Sequence, residues 1–218
     1  MPKVTGWALS AHYEPAAGGR IGGDWYDAMV LRDGLLAVVV GDVAGHGIGA
    51  AGTMAQLRNA LRAYLLDGTG PAQAVERLNR FVLDTLPGAF ATMTVACIDG
   101  ESGHAHGVVA GHPRPYLIGG ATGVPVGAPV ATSPPLGVRG ATYRSHEFDI
   151  PVEGGLVLYS DGLIERRDED IDVSLDRVGH LIGGLPARPT ARQIFASVVR
   201  STITDDATVL ACYRTGDA

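Results

Sequence analysis

Apolar positions along the chain follow two periods, and the switch between them separates strand-forming from helix-forming stretches. Trp7 to Tyr13 and Asp24 to Leu31 read as strands, and Leu35 to Gly41 as a strand buried on both faces. Arg32-Asp33-Gly34 supplies a turn between the last two, which predicts an antiparallel hairpin. The period then lengthens. Met54, Leu57, Leu61, Tyr64 and Leu65 fall at helical spacing, as do Ala74, Val75, Leu78, Phe81 and Val82. Pro71 suits the first turn of the second helix, because the donor it lacks is unsatisfied there anyway.

Strand patterns return at Ala91 to Ile98, Ala105 to Ala110, Pro115 to Ile118, Thr142 to Ile150 and Leu156 to Tyr159. Between Gly119 and Gly140 the chain is rich in Gly, Pro and Ala, which predicts a long loop or short extended pieces. Helical spacing covers roughly Ser174 to Ile182 and Ala191 to Thr202, with Thr190 and Gln193 placed for a capping box. Ala207 to Tyr213 closes as a strand. Strands in runs and helices in pairs, without βαβα alternation, predict an α+β fold with mainly antiparallel sheet. No internal repeat interrupts this order, so residues 1–218 read as a single domain.

Composition narrows the function classes. The 218 residues are 46% hydrophobic and 18% charged, as expected of a globular protein with a substantial core. Net charge is −6, and the single basic doublet, Arg166-Arg167, is followed at once by Asp168-Glu169-Asp170. Nucleic-acid binding needs clustered cations, so that partner is excluded. No signal-peptide core follows Met1, and no apolar run is long enough to span a bilayer. Cys97 and Cys212 lie in apolar strand-like runs and read as buried hydrophobes in a reducing compartment. The expected location is the cytoplasm, with no membrane partner.

Four acidic positions share one context. Asp24 follows Gly22-Gly23 at a strand start, Asp42 follows the buried strand Leu35 to Val40, Asp161 follows the strand from Leu156, and Asp205-Asp206 precedes the last strand. Taken singly, each reads as a turn residue, since Asp and Gly flank strands in most proteins. Taken together, they are carboxylates fixed at the rim of a core, and their mutual repulsion calls for a cation. An all-oxygen set without Cys or clustered His points to Mg2+ or Mn2+ rather than zinc.

Five segments occur in order: Gly22-Gly23-Asp24-Trp25-Tyr26-Asp27, Gly41-Asp42-Val43-Ala44-Gly45-His46-Gly47, Ala110-Gly111-His112-Pro113, Tyr159-Ser160-Asp161-Gly162-Leu163-Ile164-Glu165 and Asp205-Asp206-Ala207-Thr208-Val209. Together they resemble the metal-dependent protein phosphatases of the protein phosphatase 2C superfamily. The likeness is strongest to the bacterial branch named after stage II sporulation protein E and the stress-response sigma-factor regulators. It covers about Trp7 to Tyr213.

The resemblance implies an α-β-β-α sandwich of two antiparallel sheets and a site for two Mn2+ or Mg2+ ions at one end. By motif position, Asp24 and Asp42 hold or bridge the metals, Val43 offers its backbone carbonyl and Asp161 binds one ion. Asp205 matches the acidic residue before the final strand, with its neighbour Asp206 the alternative ligand. A water shared by two such cations is acidified and attacks phosphorus in line with the departing serine or threonine oxygen. The implied substrate is a phosphorylated protein of the anti-sigma-factor antagonist type. A docking module with the same fold but weak or lost turnover, and a two-metal hydrolase of nucleotides or small esters, are the competing readings.

Secondary positions stay open. His46 is either a general acid or a loop-packing residue, and His112 reads as structural. Arg20, four positions before Asp24, either grips phosphate or is solvated. Asp27 either joins the outer shell of the site or points to solvent, and Glu165 reads as a surface residue. In some relatives the helices here expected near Ile48 to Leu66 and Pro71 to Leu86 couple dimerisation or a partner to metal-site assembly, so a homodimer is compatible with this chain. Relatives also carry upstream sensory domains, so the chain reads as a stand-alone enzyme or an excised catalytic piece.

Overall fold

In a computed structural model that describes residues 1–16, 22–119, 125–164, 169–199, 203 and 205–215, the chain forms two sheets with helices outside each. In chain order the elements are β1 (Trp7–Glu14), β2 (Trp25–Val30), β3 (Leu36–Val43), α1 (Ile48–Leu66), α2 (Pro71–Thr85), β4 (Ala91–Ile98) and β5 (His104–Ala110). There follow β6 (Tyr116–Ile118), β7 (Val126–Gly127), β8 (Thr132–Ser133), β9 (His146–Asp149), β10 (Gly155–Tyr159), α3 (Ile171–Gly183), α4 (Ala191–Val198) and β11 (Ala207–Arg214). A short 3-10 turn spans Asp161–Leu163.

One sheet runs β1-β11-β10-β6-β7, and the other β2-β3-β4-β5-β8 with β9 paired to β5. Among the named strands of the described residues, the ladders are antiparallel except β5 with β8. Because β3 alternates across its sheet, it feeds two cores. Leu36, Val38 and Val40 meet Leu156, Leu158, Leu210 and Cys212 between the sheets. Ala37 and Val39 face Leu57, Leu61 and Leu65 of α1 and Val75, Leu78 and Val82 of α2. Val157, Tyr159, Val209 and Ala211 bury the far face of the other sheet under α3 and α4. Three apolar layers between four structural layers make the expected α-β-β-α sandwich.

Local chemistry accounts for most boundaries. Pro71 opens α2, and Thr190 with Gln193 forms a reciprocal capping box on α4. Four expectations shift. Strand β3 runs on to Val43, so Asp42 lies inside it rather than after it. The strand expected from Thr142 begins only at His146, because Tyr143 tucks into the helix-side core and donates its hydroxyl to the Pro135 carbonyl at 3.0 Å. Helix α3 starts a turn earlier than its apolar spacing suggests, since the Asp170 carboxylate accepts from the Asp172 amide. Helix α4 ends at Val198, where Val199 turns extended, and the expected end at Thr202 lies outside the described residues. Among the described residues no helix is long and apolar enough to cross a membrane.

Candidate metal centre

The topology carries the acidic positions to one end of the sandwich. Asp42 is the penultimate residue of β3 and lies on the face that Val38 and Val40 turn toward the other sheet. Asp24 immediately precedes β2, which pairs antiparallel with β3 so that Trp25 lies opposite Gly41. From the facing sheet, β10 ends at Tyr159 and delivers Ser160 and Asp161, while β11 begins at Ala207 just after Asp205 and Asp206.

Asp24 joins the two sheets. It is buried, and its Oδ2 accepts hydrogen bonds from Ser160 Oγ at 2.6 Å and Thr208 Oγ1 at 2.8 Å. Ser160 Oγ in turn accepts from the Thr208 amide at 2.9 Å. Burial pushes the Asp24 carboxyl up to about 8; the two hydroxyls oppose that shift, and the charges of Asp42 and Asp161 add to it. Burial likewise raises Asp42 to about 7, assisted by Asp161, Asp205 and Asp206 and opposed by a hydrogen bond from Asp24. All five sequence-predicted carboxylates therefore act on one another in one place. Tyr13 at the end of β1 belongs to the same environment, its phenol held above the ordinary range by burial and by Asp206 and Asp24.

Close backbone approach fits the rim together. A Cβ on Gly23 would collide with the Val43 carbonyl oxygen and lie 2.9 Å from Asp42 Oδ1, and one on Gly22 would overlap the Asp206 carboxylate. The Val43 amide donates back to the Gly23 carbonyl at 3.2 Å. Glycine is required here because donor oxygens occupy the space of a side chain. Asp206 is buried and accepts from the Ala16 amide at 2.8 Å, whereas Asp205 is exposed and accepts from the Asp206 amide at 2.8 Å. The donor set is oxygen throughout, as hard divalent cations require. Two raised carboxyls beside further acids also form a site whose repulsion a cation would relieve. The residues fit such ions.

Other predicted positions lie elsewhere. Asp27 neither joins the site nor faces solvent. It is buried and paired with Arg62 at 2.7 Å and Arg58 at 3.6 Å, on the side of β2 covered by α1. His112 is buried, its Nδ1 lies 2.7 Å from Thr92 Oγ1, and burial lowers its pKa to about 3, in keeping with a structural role. His46 is exposed in the loop after Val43. Arg20 and Glu165 lie outside the described residues. Ser160, Thr208 and Tyr13 went unassigned in the sequence, although Ser160 and Thr208 stand inside two of its motifs. The hydroxyl type next to each acid was the available signal.

Comparison with known proteins agrees with this architecture. The family model for stage II sporulation protein E matches residues 32–215. Protein IcfG of Synechocystis is 26% identical over 98% of the chain and 39% of its own length. Phosphoserine phosphatase RsbP of Bacillus subtilis is 27% identical over 68% of the chain and 38% of its own length. The chain thus spans about two fifths of these relatives. A crystal structure of the RsbU and RsbW domains of Rv1364c from Mycobacterium tuberculosis superposes with a TM-score of 0.89 at 34% identity, over the whole chain and 62% of that one. A structure of the PP2C phosphatase domain of SpoIIE from Bacillus subtilis with a fragment of its regulatory domain shares the fold, with a TM-score of 0.79 at 21% identity over 97% of this chain and 64% of that one. From the motifs, the sandwich and the family match together, the chain belongs to the stage II sporulation protein E family and shares the fold of the protein phosphatase 2C domain of SpoIIE.

Proposed function

We propose that the chain is one catalytic domain, working in the cytoplasm, that hydrolyses phosphoserine or phosphothreonine on a protein. In this reading Asp24, Asp42, Asp161, Asp205 and the Val43 carbonyl hold two hard divalent cations, Mn2+ or Mg2+. The observation that carries it is the meeting of carboxylates from both sheets, with Asp24 and Asp42 raised to about 8 and about 7 by burial first and then by the charges of neighbouring aspartates. When bound, the cations neutralise the phosphoryl oxygens and acidify the water that attacks phosphorus. Ser160 and Thr208 fix the Asp24 carboxylate, and the bare backbone of Gly23 leaves the Val43 carbonyl uncovered. Asp205 is preferred to Asp206 because the Asp206 carboxylate folds back onto the Ala16 amide and Gly22.

A cysteine nucleophile finds no support. Both thiols are buried, and burial pushes each up to about 12. Asp205, Ala44, Gly45 and His46 are exposed around the rim, which suits a phosphorylated side chain carried on a folded protein. The similarity to RsbP, a phosphoserine phosphatase by name, favours phosphoserine. By the motif resemblance, the substrate is an anti-sigma-factor antagonist.

Phosphate release from a phosphoserine protein in Mn2+ tests the reading. Activity that disappears in EDTA and in Asp161→Asn is expected, and so is faster turnover of a cognate phospho-antagonist than of an arbitrary phosphopeptide. A folded chain that binds Mn2+ yet releases no phosphate would contradict the enzymatic reading. Preference for nucleotides would overturn the substrate class.

A further inference from the structure

At the other end of the sandwich, β5 and β9 set four ligand-type side chains against one another across a single register. His104 lies opposite Asp149, and His106 opposite Glu147. Residues two apart on a strand share a face, so all four side chains project to the same side, away from the inter-sheet core that Ala105 and Phe148 enter. His106 pairs with Cys97 of β4, whereas Asp42 lies opposite Thr92. Five residues of strand place the two centres roughly 17 Å apart along the sheet, at about 3.3 Å per residue.

We infer that His104, His106 and Glu147 form a second, separate metal site, for an imidazole-preferring dication of the zinc class, with Asp149 orienting His104. The ligand atoms of the three residues all lie within 4.8 Å of one another. Glu147 reaches both rings, with Oε2 3.8 Å from His104 Nε2 and Oε1 3.8 Å from His106 Nδ1. A tetrahedral ion with bonds of about 2.0–2.1 Å needs donors about 3.3 Å apart, so the two part-exposed rings and the exposed Glu147 side chain would draw together from their present separations, all within 4.8 Å, to close the set. His104 Nδ1 lies 2.8 Å from Asp149 Oδ1. A carboxylate only accepts, so Nδ1 carries the proton and the Nε2 lone pair of the neutral ring is presented to the ion. That carboxylate–histidine–metal relay fixes ring orientation and raises ligand basicity.

Two nitrogens and one carboxylate distinguish this centre from the all-oxygen aspartates. By ligand preference the imidazole site takes Zn2+ or Co2+, while Mg2+ stays with the oxygens. An ion here would staple β9, which hydrogen-bonds only to β5 among the named strands, onto the sheet.

Cobalt titration of the full chain in a large excess of Mg2+ tests the inference through visible d–d absorption and displacement by Zn2+. The wild type is expected to develop an intense low-symmetry cobalt spectrum that Zn2+ removes. His104→Gln/His106→Gln should lose this binding by at least about a hundredfold, and Asp149→Asn by about tenfold, the usual range for an orienting carboxylate. Circular dichroism in EDTA should match the wild type for every variant, and Glu147→Gln provides an independent substitution. The same cobalt isotherm in wild type and double variant, or no cobalt spectrum in either, would overturn it. Phosphatase activity is not the readout, so this outcome is separate from that of the aspartate site.

Discussion

Asp24 is held by hydroxyls that come from 136 and 184 residues further along the chain, Ser160 and Thr208. They turn a carboxyl that burial would protonate toward its charged, ligating form, since hydrogen bonds to the anion lower its pKa. Thr208→Val keeps the shape of the side chain and removes one of these donors. Mn2+ affinity is expected to fall about 10- to 100-fold, with the fold retained, as for other groups that orient a ligand. Isothermal titration would show it, and unchanged affinity would count against the role. Asp27 illustrates a different residue-scale outcome. Its carboxylate is buried under Arg62, so Arg62→Leu strands a charge that Arg58, at 3.6 Å, only partly compensates. Chemical denaturation should register a loss of about 1–3 kcal/mol, the ordinary cost of leaving a buried polar group short of partners. A loss below about 0.5 kcal/mol would mean that Asp27 is already satisfied by Arg58 and water, as is common for exposed ion pairs.

At the scale of elements, the reciprocal bonds of Thr190 and Gln193 close the start of α4, an eight-residue helix that depends on its cap and on Ile194 and Val198. Thr190→Ala is expected to cost about 1 kcal/mol, read as a lowered Tm. Elements of this kind were legible in the sequence because their signals are local. Strand β4 was read with both ends correct, since its alternation and its flanks are contained in eight residues. The start of β9 was misplaced because it depends on Tyr143 finding the Pro135 carbonyl, a tertiary contact that β-propensity does not encode. Ile171 and Val173 are exposed, so the first turn of α3 broke the apolar spacing, and only the Asp170 cap announced it. The same division holds in the site. Asp24 and Asp42 announced themselves through Gly-Asp contexts at strand ends, and Asp161 through Ser-Asp-Gly after a buried strand. The hydroxyls that hold Asp24, and the arginines that claim Asp27, become neighbours only when the sheets and α1 close.

For the whole molecule, the rim exchanges stability for binding capacity. Asp24 and Asp42 stand at about 8 and about 7 when folded, against an ordinary 3.8, so the folded chain holds more protons than the unfolded one between those values. Stability rises with pH only where the unfolded state binds more protons, so here their contribution is present at low pH and lost as pH climbs toward 8. His112 works with the opposite sign. Its folded value of about 3 lies below 6.5, and its contribution is lost as pH falls through that range. In EDTA, Tm should therefore decline between about pH 6.5 and about pH 8, and saturating Mn2+ should abolish the decline by holding the carboxylates charged. A Tm in EDTA that rises over that interval would mean the two carboxyls are ordinary.

The most direct measurement is the stoichiometry of Mn2+ bound near neutral pH, by calorimetry or electron paramagnetic resonance, in the wild type, Asp24→Asn, Asp42→Asn and Asp161→Asn. Two ions per wild-type chain, with loss of at least one in each variant that remains folded, is the predicted result. A wild-type chain that binds none, or variants that bind as the wild type does, would contradict a centre assembled from both sheets.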